Sequence, residues 1–424
     1  MASAPPQRMS VAAAMTVCLT PALTQWARVT GSALRATFIV KRYMDLGDDV
    51  VFETRLPFVM DVTSDHPPGS RDYQELAARI KRWARELGFQ QVGIADTDLG
   101  QAETRLLDWL AKGRHGSMHY MARHGGKRAR PAQLVPGTLR VISARMDYLS
   151  EPRPRTEQLL EDPAAGFVSR YALGRDYHKV LGSRLRALAA LIGREVGEFG
   201  YRVLVDSAPV MEKPLAQKAG LGWIGKHTNL INADAGSWFF LGEVYTDLPL
   251  PTDRPVRNHC GTCHACLDVC PTGAIVAPYE LDARRCIAYL TIELKGPIPE
   301  PLRPVMGNRI YGCDDCQLVC PWNRFARLCQ EPDFLPRGGL DAPTLLDLFA
   351  WEEPEFLRRT EGSPIRRIKY PAWLRNLAVA LGNAPPSQRI ARALAARTQH
   401  PSELVREHVR WALRRQEQGA GGST

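Results

Sequence analysis

Eight of the chain's ten cysteines lie between Cys260 and Cys320, in two runs that close the same way. The first, Cys260-Gly-Thr-Cys263-His-Ala-Cys266-Leu-Asp-Val-Cys270-Pro271, has the spacing C-x2-C-x2-C-x3-C-P. Thiolates spaced this way can reach three irons of one four-iron cube from a single looping backbone, while the fourth serves a second cube. The second run is Cys286, then Cys313-Asp-Asp-Cys316-Gln-Leu-Val-Cys320-Pro321, with 26 residues between Cys286 and Cys313. Pairing the halves by pseudo-twofold logic gives one [4Fe–4S] cluster on Cys260, Cys263, Cys266 and Cys320. The other takes Cys270, Cys286, Cys313 and Cys316. Structural zinc is the rival reading of the CxxC pairs, but two C-x3-C-P endings are not zinc-ribbon spacing. Cys18 and Cys329 are left as structural thiols, and His259 and His264 as polar packing.

Thiols gathered at one place in a long chain suit metal ligation in a reducing compartment, so the cytosol is the expected location. No run of about 18 apolar residues occurs, so no membrane span is expected. The formal net charge of +10 and pI of about 9.2 suit an acidic partner such as RNA, although a solvated basic face would give the same numbers. Residues 1–67 stand apart. Val11 to Leu23 could pass for a signal-peptide core, but Thr16, Cys18, Thr20 and Pro21 interrupt it. The segment reads as a disordered extension or a misassigned start, with Met60 as the alternative first residue.

After Ser70, Leu76, Ile80, Trp83 and Leu87 recur at helical spacing, and Phe89–Ala95 reads as a strand. Leu106, Trp109 and Leu110 suggest a second helix, Leu139–Met146 a second strand, Asp176–Phe199 a long helix and Tyr201–Val205 a third strand. Helices alternating with single short strands indicate an α/β domain over about 68–250. Leu248–Pro255, rich in proline, reads as a linker into a ferredoxin-like two-cluster region over 251–330. A short all-α, HEAT-like tail over 331–424 follows, with helices marked by Trp373 and Leu377, by Ile390 and Leu394, and by Val405 and Val409. From Ile365 to Arg415 eleven Lys/Arg face two acids, Glu403 and Glu407, which suits either solvent or an RNA backbone.

Three motifs in the α/β region fall short. Gly220-Leu-Gly222-Trp-Ile-Gly225 matches the dinucleotide fingerprint, but the preceding Glu212–Ala219 reads as helix where a strand is required. As a phosphate loop the same stretch fails at His227, where Ser or Thr should hold magnesium. What remains is a Gly-rich turn that lets backbone approach a large ligand closely. Asp176-Tyr-His178-Lys-Val-Leu-Gly182 is one residue too long for the cobalt-ligating D-x-H-x-x-G signature, and Asp176 is read as the cap of a helix. Asp206 ends a strand, where α/β folds place active sites. In an apolar setting its pKa would rise and fit it to donate a proton.

Longer segments carry a resemblance. Ser169–Lys179 (SRYALGRDYHK), Val205–His227 (VDSAPVMEKPLAQKAGLGWIGKH), Gly236–Glu243 (GSWFFLGE), both cysteine runs and Gly307–Asn323 (GNRIYGCDDCQLVCPWN) are similar to the epoxyqueuosine reductases. The resemblance covers about Asp72 to the end of the tail. It implies a cobalamin-binding α/β domain similar to that of reductive dehalogenases, with the corrinoid base-off and no histidine ligand. Two clusters would feed electrons to it, and the epoxide of epoxyqueuosine at the tRNA wobble position would become queuosine plus water. The matching proton donor is Asp206. Arg128, Lys226, Thr228, Asn229, Leu230 and Ser237 match corrinoid-binding positions, while Arg170 and Lys213, with the basic tail, are the expected tRNA contacts. An unidentified electron donor and a monomeric chain complete the expectation. The alternatives are a reductive dehalogenase-like enzyme on a small molecule and an iron–sulfur electron carrier.

Overall fold

The structure is a computed structural model, and it describes residues 72–421. The readings for residues 1–67 lie outside the described residues.

Asp72 caps the first helix, α1 (Tyr73–Glu86), accepting from the backbone N–H groups of Gln74 and Glu75. The apolar stripe of α1, Leu76, Ala77, Ile80 and Ala84, is buried. Strand β1 (Gln91–Ala95) follows, then α2 (Gly100–Ala111) and β2 (Arg140–Asp147). Asp176 caps α3 (Tyr177–Val196) by accepting from His178 N–H, as the sequence suggested, and β3 (Tyr201–Leu204) comes next. Helix α4 (Glu212–Lys218) leads into a small hairpin, β4 (Trp223–Ile224) and β5 (Leu230–Ile231), and then into β6 (Phe239–Thr246).

The main sheet has the order β1-β2-β6-β3, and every pairing is antiparallel. Helices cover both faces, as an α/β layering requires, but the parallel strands implied by alternation are not formed. The reason is β6, which inserts between β2 and β3 and pairs with both. This central strand was not read from the sequence. All eight of its residues are buried, so it has no alternation of polar and apolar positions, and Gly242 and Glu243 dilute its β character. Gly242 is needed for packing, since a Cβ there would stand 2.7 Å from Leu185 of α3.

One sheet face, with Ile94, Ile142, Phe240 and Val244, packs on α1 and α3. The other, with Ala95, Phe239 and Leu241, receives Ala216 and Ala219 of the α4 segment, and Leu215 packs with Val141, Leu204 and Tyr245. Leu248–Pro255 is no free linker. Leu248 and Leu250 are buried, and Asp253 pairs with the outer edge of β1, its N–H donating to Ile94 O at 2.8 Å and its carboxylate accepting from Ile94 N at 2.9 Å.

The 26 residues that separate Cys286 from Cys313 have a structural task. Leu290, Ile298, Met306 and Ile310 share one core with the C-terminal helices α5 (Lys369–Asn383), α6 (Gln388–Ala395) and α7 (Glu403–Gly421). Arg375, on α5, is fully buried and donates to the carbonyls of Leu290, Leu294 and Gly296. Asn376 donates to Thr291 O and Ile310 O, each at 2.9 Å. The tail therefore braces the cysteine region, and Arg375 is lost from the count of basic residues facing outward. Replacing Arg375 with Leu leaves the buried Leu290 carbonyl without this partner, along with the half-buried carbonyls of Leu294 and Gly296, and is expected to cost about 2 kcal/mol or more. Urea unfolding of the two proteins measures this, and a change below about 0.5 kcal/mol would contradict the bracing role.

Candidate active site and cluster cavities

Cys260, Cys263, Cys266 and Cys320 line one cavity of about 40 Å³, together with Lys226, His227, His259 and Trp322. Cys270, Cys286, Cys313 and Cys316 line a second, of about 400 Å³. These are the two sets obtained from spacing. Burial, and then repulsion by Cys320, Cys260 and Cys263, pushes the Cys266 thiol up to about 11. Burial likewise drives Cys313 and Cys316 well above the ordinary thiol value. Four crowded thiols resist ionising together, and iron removes that resistance, because a coordinating thiol is deprotonated by the metal's charge. The donor sets thus fit iron–sulfur clusters.

The cavities are in series. His227 lines both, and burial, with Lys213 nearby, depresses its pKa to about 4, so the imidazole between them is neutral. The second cavity shares Lys213, Thr228 and Leu281 with a cleft of about 1290 Å³. That cleft is walled by Leu99, Trp109, Met121, Met211, Gln217, Ile224, Asn258 and Tyr279 among others, and neither His nor Cys is among its lining residues. The Gly-rich turn reaches the cleft only through Ile224. It opens the β4–β5 hairpin rather than a helix, and a Cβ on Gly222 would stand 2.1 Å from Ile231 O. A dinucleotide fingerprint is excluded by that context.

Asp206 sits in the turn after β3 at φ +35°, a backbone region that non-glycine residues rarely adopt. Tyr177 O–H donates to its Oδ2 at 2.5 Å, and His178 Nε2 lies 3.2 Å from the same oxygen. His178 Nδ1 is 2.7 Å from Asp176 Oδ1, and Arg367 donates to Asp176 Oδ2 at 3.1 Å. The helix start, a tail arginine and the turn thus meet at one carboxylate. The expected rise in the Asp206 pKa does not occur. Burial does push the carboxyl up, but hydrogen bonds from His178 and Tyr177 outweigh it and hold it below the ordinary value. The raised carboxyl is Glu212, lifted to about 8 by burial and then by the charge of Asp206.

The other expected contacts divide. Thr228 lines the cleft and the second cavity, at φ +66°, and Asn229 lines the second cavity. Lys213 lines both too, is exposed, and donates to Thr228 O and Asn229 Oδ1. Arg128 is buried and donates to Val210 O and Tyr120 O, which braces the loop beyond Asp206. Three cofactor expectations are corrected. Lys226 donates to the carbonyls of Gly261 and Cys263 at 2.7 and 2.8 Å, holding the first cysteine loop. Leu230 is buried among Ala216, Leu221 and Leu241. Ser237 is spent on Asn323 and Gln317, which join β6 to the second cysteine run. Arg170 is also corrected as a tRNA contact, being buried with its guanidinium on Glu151 and Val168 O and its N–H on Asp314. Tyr177, His178, Glu212, Glu243 and Arg367 were missed as site residues. The Asp-Tyr-His triplet was the visible signal, but it had been tested only for cobalt ligation.

Residues 259–323 match the family described as a 4Fe–4S double cluster binding domain, and residues 128–207 match one described as epoxyqueuosine reductase QueG, DUF1730. A Pseudomonas aeruginosa epoxyqueuosine reductase is 63% identical over 345 residues, covering 81% of this chain and 95% of that relative. A Bacillus subtilis epoxyqueuosine reductase, solved with its catalytic Asp loop swung out of the active site, superposes with a TM-score of 0.72 at 27% identity. That match covers 80% of this chain and 90% of the other. An epoxyqueuosine reductase solved with an epoxyqueuosine-modified tRNA stem loop superposes at 0.70 and 25% identity, covering 81% and 99% of the two chains. Among the described residues no helix is long and apolar enough to cross a membrane.

Asp176 gives a pH test of the geometry. Burial acts to raise its pKa, but His178 and Arg367 pull it down to about 2, below the unfolded value near 3.9. Its contribution, about 2 kcal/mol, is therefore present above pH 4 and fades as pH falls through 2. Asp176→Asn should lower stability at pH 7 by about that amount, with the difference from wild type cut by more than half at about pH 2.5. Urea unfolding at both pH values checks this, and a pH-independent difference would contradict the ion pairing.

Proposed function

This chain belongs to the epoxyqueuosine reductase family, and we propose that it reduces epoxyqueuosine in tRNA to queuosine at the site built around Asp206. The observation that carries the reading is the serial arrangement of two four-thiol cavities and one large cleft, which joins an electron supply to a binding site. The double-cluster match supports two iron–sulfur clusters. For their ligands we assign Cys260, Cys263, Cys266 and Cys320 to one, and Cys270, Cys286, Cys313 and Cys316 to the other.

Cobalamin fits the cleft on three grounds. The space is large, it opens on the second cluster cavity, and its walls combine apolar side chains with the polar ends of Lys213, Gln217, Thr228 and Asn258. When bound, the clusters supply electrons singly and the corrinoid supplies a strongly reducing cobalt centre for cleaving a C–O bond.

The chain's own residues do the rest. Removing the epoxide oxygen as water consumes two electrons and two protons, so a proton donor must stand beside the breaking C–O bond. Asp206 is the candidate, aimed by Tyr177 and His178 and fixed by the strained turn. Arg367 anchors Asp176 and so holds His178 in place. Exposed basic residues of the tail, such as Arg366, Arg389 and Arg410, offer the phosphate contacts that a tRNA stem loop needs. A monomer in the cytosol, served by a separate electron donor, remains our working picture.

Asp206→Asn should retain the iron content of the wild type and lower epoxide reduction on an anticodon stem loop by roughly 10²-fold or more. Turnover close to wild type in that variant would remove Asp206 from the chemistry.

A further inference from the structure

Glu243 has no packing reason to be where it is. It occupies the middle of β6, opposite Ser143 of β2 and Leu204 of β3, on the face that α4 covers. Its neighbours on that face of β6 are Leu241 and Tyr245. The residue is 0% exposed, and no well-formed hydrogen bond reaches either carboxyl oxygen. The Ser143 hydroxyl beside it is unpartnered as well. An ionised carboxylate in such a place costs several kcal/mol, so the group stays neutral. Burial, and then the carboxyls of Glu212 and Asp206, drive it far above the ordinary range. It faces Glu212 closely enough for the two to share a hydrogen bond once one is protonated.

Glu212 is the next group outward. It opens α4, and its Oε1 accepts from Asp206 N–H at 2.5 Å. The three acids Glu243, Glu212 and Asp206 therefore follow one another from the sheet interior to the exposed turn after β3, beside Met211 and Lys213 of the cleft lining. Proton occupancy falls along that line, because Asp206 is held ionised while the two behind it are neutral at pH 7. A central strand position that could hold valine instead holds an acid, and an expensive buried acid pointing at an active site signals function.

We propose that Glu243 and Glu212 form the proton store of the reaction, passing through Asp206 the two protons consumed for each epoxide. The inference rests on the Asp206 reading above. The two acids act on the substrate only by way of Asp206 and are positioning residues. Two electrons reach the site through the clusters from an external one-electron carrier. As the first C–O bond breaks, its electron pair stays on oxygen, the two supplied electrons go to the carbon, and Asp206 hands the alkoxide a proton that it takes from Glu212. As the second breaks, the carbon–carbon double bond forms, and the departing hydroxide takes the other proton as water. Glu212 and then Glu243 refill Asp206, and solvent restores them between turnovers. Lys213, His178, Arg128, Arg367, Tyr120, Tyr177, Tyr245 and Glu293 also face this line, and the first four are the cations that keep Asp206 and Glu212 from both becoming neutral.

Glu243→Gln preserves size and shape and tests the store in two ways. In the protein without cofactors, infrared difference spectra at pH 7 should contain a buried carboxylic-acid band that this variant lacks. In the loaded enzyme, the rate of reduction on a stem loop should fall about tenfold at pH 8 and recover most of the loss at pH 6, where solvent refills Asp206 directly. Wild-type activity itself should decline as pH rises through about 8, where Glu212 ionises. If Glu243→Gln fails to fold, Glu212→Gln at the half-buried helix start should shift the same pH profile. An absent acid band in wild type, or a pH profile unmoved in the variants, would overturn the proposal. Loss of reduction in Asp206→Asn alongside unmoved glutamate variants would refute the store and leave Asp206 as donor. Reduction retained in Asp206→Asn would instead refute the reading on which the store rests.

Discussion

Holding eight thiols in two adjoining pockets is the constraint that the rest of the molecule answers. Thiols this close repel as thiolates, and burial adds to the resistance, so the pockets need a rigid frame until iron neutralises them. The frame is drawn from the whole chain. Lys226 fixes the first cysteine loop, Ser237 with Asn323 and Gln317 ties the central strand to the second run, and Asp314 between Cys313 and Cys316 holds Ser169 and Arg170. The C-terminal helices complete it through Arg375 and Asn376. Two hydrophobic cores consequently cross the boundaries that composition suggested near 250 and 330.

That sharing explains which parts of the sequence were readable. Cysteine spacing is local chemistry, so both ligand sets could be written down without a structure, and each set lines one cavity. The amphipathic helices were equally legible, because one face of each meets a different environment from the other, and β1, β2 and β3 showed as short apolar runs. Strand β6 was not, since it is buried at every position and Gly242 and Glu243 break its apolar run. Without β6 the antiparallel pairing could not be foreseen either.

Residue roles were harder than elements. Lys226, Ser237 and Arg170 sit within segments that carry the family resemblance and Leu230 between two of them, but their side chains serve the frame. Asp206 does lie just past the end of β3, as read, but its charge state differs from the reading. A raised pKa follows from burial alone, whereas the groups that lower it, Tyr177 and His178, come from the far end of α3 in sequence. The acid that burial does raise, Glu212, lies six residues on and was read only as part of a helix. Electrostatics of this kind depends on which side chains converge, and convergence is a property of the fold.

The functional picture joins three spaces in a row to one carboxylate, held by Tyr177 of the second cavity's lining. Its central claim is that electrons passing the two cysteine cavities remove an oxygen atom from a nucleoside bound at Asp206, with a corrinoid in the cleft between. Mass spectrometry of an epoxyqueuosine stem loop after a single anaerobic turnover measures that directly. The account predicts a product lighter by one oxygen atom when the reconstituted, reduced protein is supplied with cobalamin, and an unchanged stem loop when cobalamin is withheld. Oxygen loss without cobalamin, or none with it, would contradict the account.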